Sequence, residues 1–209
     1  MLRSFLNWLW NGRSSGRDDS QDLDKVLPPE VMKGLEDFIN RPQHTILTEA
    51  ILDATPRYEL EQVVFDHLAL QLPKAYEERE AFILKEFNTS QQAVYLTKML
   101  EDEVFNGGLN QYFANWGQAY AKILPALYDL IREPRFADWM RRVNQIYTVE
   151  YDQIMKHQDG TLEGFSQSYV DNPLNPLDEE FYQLSAPGTL RSKLNAYIHA
   201  HRADFITQH

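Results

Sequence analysis

LEDEVFNGGLNQYFANWG, residues Leu100 to Gly117, is the stretch whose reading decides the fold. It begins as the end of one helix and breaks on Asn106-Gly107-Gly108, residues that reach positive φ at low cost. It then restarts as a second helix, because Leu109, Tyr112, Phe113 and Trp116 recur at i, i+3, i+4 and i+7. Gly107 or Gly108 is expected at positive φ, letting freed amides and carbonyls turn back on one another. Asn110, Gln111 and Asn115 are interleaved with the apolar face, and none of them is a nucleophile or a thiolate.

The helical period extends outward in both directions. Upstream, Asn88, Thr89 or Ser90 caps a helix whose inner face is Ala93, Leu96, Leu100 and Val104. Before it, Met32, Leu35, Phe38 and Ile39 form one face. Thr45 is read as a cap for a stripe of Leu47, Ala50, Ile51 and Ala54, and Thr55-Pro56 as the start of a helix carrying Leu60, Val63, Val64, His67 and Leu68. Ala75–Phe87 reads as a charged helix with a narrow apolar edge. Downstream, Tyr120 to Ile131 is helical with Pro125 kinking it or starting a new segment, and Pro134 opens a helix through Tyr147. Residues 159–176 read as a long loop, Asn175-Pro176-Leu177-Asp178 as a cap, proline and first-turn acid, and Thr189 to about Ile206 as the last helix. No period-2 run is long enough for a strand and no fixed-period repeat occurs. The expected fold is all-α, an irregular multi-helix array forming a single compact domain with an added N-terminal helical part.

Four segments follow from this reading. Residues 1–11 place Leu2, Phe5, Leu6 and Leu9 on one face of an amphipathic arm too short to fold alone. Residues 12–28 read as a flexible linker, 29–88 as a helical N-terminal layer, and 89–209 as the helical domain built on the glycine break. The arm docks on the domain, on a second copy as a homodimer, or on a membrane surface. The membrane is the less favoured of these because so short a helix buries little area.

Composition bounds the chemistry. The chain has 209 residues, no cysteine, 43% hydrophobic and 24% charged residues, and a net charge of −11. Disulfides, thiol nucleophiles and thiolate metal sites are excluded. The N-terminal apolar run is short and interrupted by Arg3 and Asn7, unlike a secretory signal, and the expectation is a cytoplasmic protein. Nothing approaches the ~20 apolar residues of a membrane span. An acidic chain without clustered bases is not expected to bind nucleic acid directly, whereas a basic protein partner suits it.

The acid is unevenly placed. Residues 159–188 hold Asp159, Glu163, Asp171, Asp178, Glu179 and Glu180 with no Lys or Arg among them. These six are the candidate partner-binding residues, since carboxylates on a rigid scaffold can face an Arg/Lys groove. Glu59, Glu61, Asp66, Glu77, Glu78, Glu80 and Glu86 extend the patch or form a solvated face. Glu101, Asp102 and Glu103 are consecutive, leave a helix about 100° apart, and are not expected to converge on one ion. Glu103 is expected to turn inward and accept from the turn amides or from Gln111, making Glu103, Asn106, Gly107, Gly108, Gln111 and Asn115 a structural polar staple. The competing reading is a small-ligand site at the same turn. His199 and His201 are unsuited to chelation, His67 reads as a core residue, and no Walker, dinucleotide, G-x-S-x-G or H-E-x-x-H pattern occurs. A binding role is therefore preferred to an enzyme, with no metal or other cofactor expected.

The same residues carry a resemblance. Glu103, Asn106-Gly107-Gly108, Gln111-Tyr112-Phe113 and Asn115 resemble the signature of the DNA-mimic-protein-like family of bacterial domains of unknown function. A second block, Leu177-Asp178-Glu179-Glu180-Phe181-Tyr182, then Leu194, Tyr197-Ile198 and Asp204-Phe205, is similar to that family too. The resemblance spans roughly residues 91–206. It implies an acidic helical domain that imitates the charge of DNA and occupies a DNA-binding protein. A structural or assembly module docking through the N-terminal arm remains the alternative.

Overall fold

The computed structural model describes residues 28–185 and 188–207. The amphipathic arm, the linker up to residue 27 and Pro187 lie outside the described residues. The chain divides into two compact units between His44 and Thr45. Every regular element among the described residues is helical, so the fold is all-α.

The first unit contributes helix α1 (Pro29–Ile39), begun by Pro28 and a proline in its first turn, where a missing N–H is not needed. Leu35 is its buried residue, and Arg41 lies over the Phe38 ring at 3.8 Å.

The second unit is organised on one long element. Its helices are α2 (Glu49–Ala54), α3 (Leu60–Leu70), α4 (Arg79–Glu86), α5 (Thr89–Trp116), α6 (Leu124–Leu130) and α7 (Pro134–Val149). They are followed by α8 (Tyr151–Met155), α9 (Leu162–Gln167), α10 (Asn175–Ser185) and α11 (Thr189–Ala200). Helix α5 packs against α3, α6 and α10, while α7 covers α6 and α10, and α11 leans on α3. The core between them is rich in aromatic rings: Trp139, Tyr112, Phe136 and Phe181 are fully buried. The Trp139 Nε1–H donates to the Leu177 carbonyl at 3.0 Å, fixing α10 on α7.

Helix α5 starts with a capping box. Asn88 Oδ1 accepts from the Gln91 amide at 2.9 Å and Gln91 Oε1 accepts from the Asn88 amide at 3.0 Å, so two orphan donors are satisfied reciprocally. Pro125 lies in the first turn of α6 and Pro134 opens α7, both as starts rather than kinks.

Several boundaries differ from the sequence reading, some for tertiary reasons and some for local ones. The cap of α2 is Thr48, not Thr45, because the Leu47 backbone is tied to Thr207: Leu47 N–H donates to Thr207 Oγ1 and Thr207 N–H to the Leu47 carbonyl, both at 2.9 Å. Thr55 ends α2 instead of starting α3, its hydroxyl donating to the Ile51 carbonyl, and Pro56 leads into a 3₁₀ turn, Arg57–Glu59. Another 3₁₀ turn, Tyr76–Glu78, precedes α4, with the Tyr76 hydroxyl donating to the Asn115 carbonyl at 2.7 Å. The segment 117–123 is turn, not helix, and 159–176 is not all loop, since α9 forms inside it behind a Thr161 cap. Helix α11 stops at Ala200, and the 3₁₀ turn Arg202–Asp204 returns the chain to the start of α5, where Asn88 Nδ2 donates to the Asp204 carbonyl.

Candidate functional site

The break predicted at Asn106-Gly107-Gly108 lies inside α5. Gly107 has φ −159°, ψ 26° and Gly108 has φ 71°, ψ −175°, so the helix bends and resumes. Gly108 occupies a region essentially reserved for glycine. A Cβ there would stand 2.3 Å from Asp178 Oδ2, and one on Gly107 would stand 2.2 Å from Gln111 Oε1 and 2.9 Å from the Tyr169 hydroxyl.

Breaking a helix frees backbone groups that must find other partners. Here the segment 157–185 supplies them. The Tyr182 hydroxyl donates to the Val104 carbonyl at 3.1 Å, and the Tyr169 hydroxyl to the Gly107 carbonyl at 2.9 Å. The Leu109 amide donates to Asp178 Oδ1 at 2.8 Å. Buried Asn110 completes the join: its Nδ2 donates to Ser168 Oγ at 2.7 Å while its Oδ1 accepts from Gln158 and Asn172, both at 3.2 Å. The sequence pattern assigned Asn110 no role. Its place among apolar residues of the restarted helix was the available sign that it is inward and paired.

Glu103 turns inward, and its donors are all side chains. Gln111 Nε2 and Asn115 Nδ2 donate to its Oε2 at 2.7 and 3.0 Å, and Trp116 Nε1 donates to its Oε1 at 2.9 Å. The turn amides do not reach it. Three side chains of the second half of α5 thus hold one carboxylate of the first half across the bend. Asn106 joins neither set, and its Oδ1 is buried without a hydrogen-bond partner. Glu103 and the Leu109 amide are thus both engaged within the protein.

Glu101, Asp102 and Glu103 do not converge on one partner: Glu103 turns to the bend, while Glu101 and Asp102 turn to Lys98. Both reach Lys98 Nζ, at 3.5 and 2.6 Å, because i,i+3 and i,i+4 spacings lie on the same helical flank. Glu61 of α3 lies 3.6 Å from the same ammonium, and its other oxygen lies 3.2 Å from Arg191 Nε of α11. Burial raises the Glu101 carboxyl above its ordinary range, with Lys98 opposing the shift. These charges tie α3, α5 and α11 together.

The six acids of 159–180 do not behave alike. Asp159, Glu163, Asp171 and Glu179 are exposed and make no ion pair among the described residues. Asp159 accepts from the Thr161 amide and hydroxyl at 2.9 and 2.7 Å, and the hydroxyl bond leads in holding its carboxyl below the usual range. Asp171 has a positive φ of 54°. Asp178 faces inward to the Leu109 amide, and burial pushes its carboxyl up to about 6. It serves the break in α5 rather than the start of its own helix. Glu180 pairs with Arg142 of α7, whose hydrogen bonds lower its carboxyl. The segment that lacks bases in sequence is thus partly neutralised in space. In the second acidic region Glu61 and Asp66 are buried, and Glu59, Glu77, Glu78, Glu80 and Glu86 lie at the surface.

Among the histidines, buried His67 meets Gln71 Nε2 at 2.9 Å, and His201 Nδ1 meets the Tyr197 carbonyl at 2.9 Å. No cluster of three metal-ligating side chains occurs, and no helix is long and apolar enough to cross a membrane, among the described residues.

Comparison with known proteins fits this geometry. No curated protein and no solved structure matches the chain. The family model described as DMP19-like protein matches residues 85–201, a span that contains the whole of α5 with its glycine break and the α10 block that satisfies it. The match covers more than half of the sequence, and the chain belongs to the DMP19-like protein family.

Proposed function

We propose that this protein is an acidic binding protein whose exposed carboxylates around α9 and the start of α10 occupy a basic surface on a DNA-binding protein, in place of DNA phosphates. The observation that carries the reading is the set Asp159, Glu163, Asp171 and Glu179: four exposed acids that make no ion pair among the described residues, on a segment anchored to α5 by Asn110, Tyr169 and Asp178. Anchoring matters because a preorganised charge array loses less entropy on binding than a loose one. Membership of the DMP19-like family supports the same reading through the DNA mimicry that the signature implies. Asp178 is part of the scaffold in this proposal, and Glu180 lies at the margin, already paired with Arg142.

Single exposed ion pairs contribute only ~0–1 kcal/mol, so the acids act together. The test is the combined variant Asp159→Asn, Glu163→Gln, Asp171→Asn, Glu179→Gln, immobilised beside the parent and exposed to a DNA-binding protein fraction at rising salt. The parent retains proteins that salt and double-stranded DNA both release, and the folded quadruple variant loses them. Retention by the folded quadruple variant, indifferent to salt and to DNA, overturns the proposal.

A further inference from the structure

The stretch that carries the exposed acids is also apolar at its surface. Four of the twelve large apolar side chains exposed among the described residues, Val149, Tyr151, Leu162 and Val170, fall within residues 149–170, and Leu162, 87% exposed, is the most open of all. Single exposed apolar residues are ordinary, whereas several held together on one surface mark a docking site. We propose that this face seats a basic amphipathic α-helix of a protein partner, its apolar side lying on Leu162, Val170 and Tyr151 and its Lys and Arg reaching Glu163, Asp171 and Asp152. The partner's charge follows from the acidic-surface reading, on which this proposal rests, and its helical form follows from the apolar spacing.

Helix α9 and the turn after it are two-sided. Gly164 and Ser168 are buried, Ser168 on Asn110 of α5, while Leu162, Ser166 and Val170, spaced four apart, are exposed. Residues four apart share a helical flank. By the helical rise Leu162 and Val170 are about 12 Å apart, which matches apolar residues at i and i+7 or i+8 of an opposing amphipathic helix. Helix α8 is joined to this flank, since Gln153 Nε2 donates to the Asp171 carbonyl at 3.0 Å, beside Val170. The Tyr151 ring meets Tyr147 edge-on at 5.6 Å, and Tyr147 stacks on Phe113 of α5 at 3.8 Å. The aromatic part of the face is therefore fixed to the core, and a face held in place loses little entropy on docking.

Charge selects the occupant. Residues 149–171 hold Glu150, Asp152, Asp159, Glu163 and Asp171, all exposed, against Lys156 as the only Lys or Arg. A second copy of a chain with net charge −11 brings acid to acid, and an anionic membrane surface is repelled in the same way. A basic amphipathic helix gains twice, by apolar contact at the centre and by ion pairs at the rim.

The experiment titrates the full chain, ¹⁵N-labelled, with two Leu/Lys peptides of one composition, one patterned as an amphipathic helix and one scrambled so that no apolar face forms. The patterned peptide is expected to give saturable amide shifts centred on residues 149–171 and to bind about tenfold tighter than the scrambled one. Leu162→Ser combined with Val170→Ser, two changes at exposed positions, should weaken the patterned peptide about tenfold and leave the scrambled one unchanged. Equal affinity for the two peptides, shifts elsewhere on the surface, or an affinity unchanged in the double variant overturns the proposal. So does sedimentation in which the parent self-associates and the double variant does not, or flotation of the parent alone with phosphatidylcholine vesicles. Neither peptide measurement uses DNA or a DNA-binding protein, so failure here leaves the acidic-surface reading to its own salt and DNA test.

Discussion

The bend in α5 and the segment 159–180 both carry carboxylates, and the fold treats them in opposite ways. At the bend, Glu103 collects three side-chain donors and Asp178 caps a freed amide. In the acidic segment, Glu163, Asp171 and Glu179 point to solvent. The two regions are nonetheless joined, because the acid that satisfies the bend comes from the acidic segment. A carboxylate's sign therefore says little about its role; what separates a structural acid from an available one is its burial and whether its donors come from another part of the fold.

The largest effect expected from disturbing the inward set is at Gly108. Gly108→Val forces a β-branched residue to φ 71° and drives its Cβ into Asp178, so the loss is about 3 kcal/mol or more. Urea unfolding checks it, and a variant as stable as the parent removes the bend from its central place. Glu103→Ala comes next, at about 2 kcal/mol, because three donors lose one acceptor and only the more exposed of them regain water. Glu103→Gln should recover little, since it sets an amide group against donors. Denaturation midpoints of the pair measure both, and full rescue by glutamine would mean that charge at Glu103 is irrelevant.

Asp178 gives a smaller, pH-dependent effect. Its folded carboxyl titrates at about 6, above the unfolded value of about 3.9, so the folded state holds the proton more tightly. The contribution of this group to stability is therefore greatest below about pH 4 and is lost as pH rises through 6. Asp178→Asn keeps an oxygen for the Leu109 amide and removes the titration. The variant should gain on the parent by about 1–2 kcal/mol between pH 4 and pH 7, a figure already reduced for residual solvent. Parallel stability curves for the two proteins sink this. On the outward side, Glu163→Gln and Glu179→Gln should change stability by less than about 0.5 kcal/mol each, which keeps the comparison sharp.

The bend itself is legible in the sequence. Two glycines between apolar faces in helical register announce both the break and the restart, and Glu103 eight residues before Gln111 is reachable only if the helix folds back on its own flank. Asn88 and Pro134 are equally readable, because caps and first-turn prolines act within one turn of chain. Thr45 and the end of α11 mislead for a common reason. Their boundaries are set by Thr207 on Leu47 and by Asn88 on Asp204, partners more than 100 residues away, whereas Thr55 is held by a local hydroxyl bond to Ile51.

Local sequence, then, determined the helical class, the break in α5 and the surplus of acid, since periodicity, glycine and charge are properties of neighbouring residues. Tertiary structure alone decided which acids are available. Arg142 reaches Glu180 across 38 positions and Leu109 reaches Asp178 across 69, while Lys98 gathers Glu61 from another helix. Burial and hydrogen bonding depend on what arrives from afar, and no local pattern encodes that arrival.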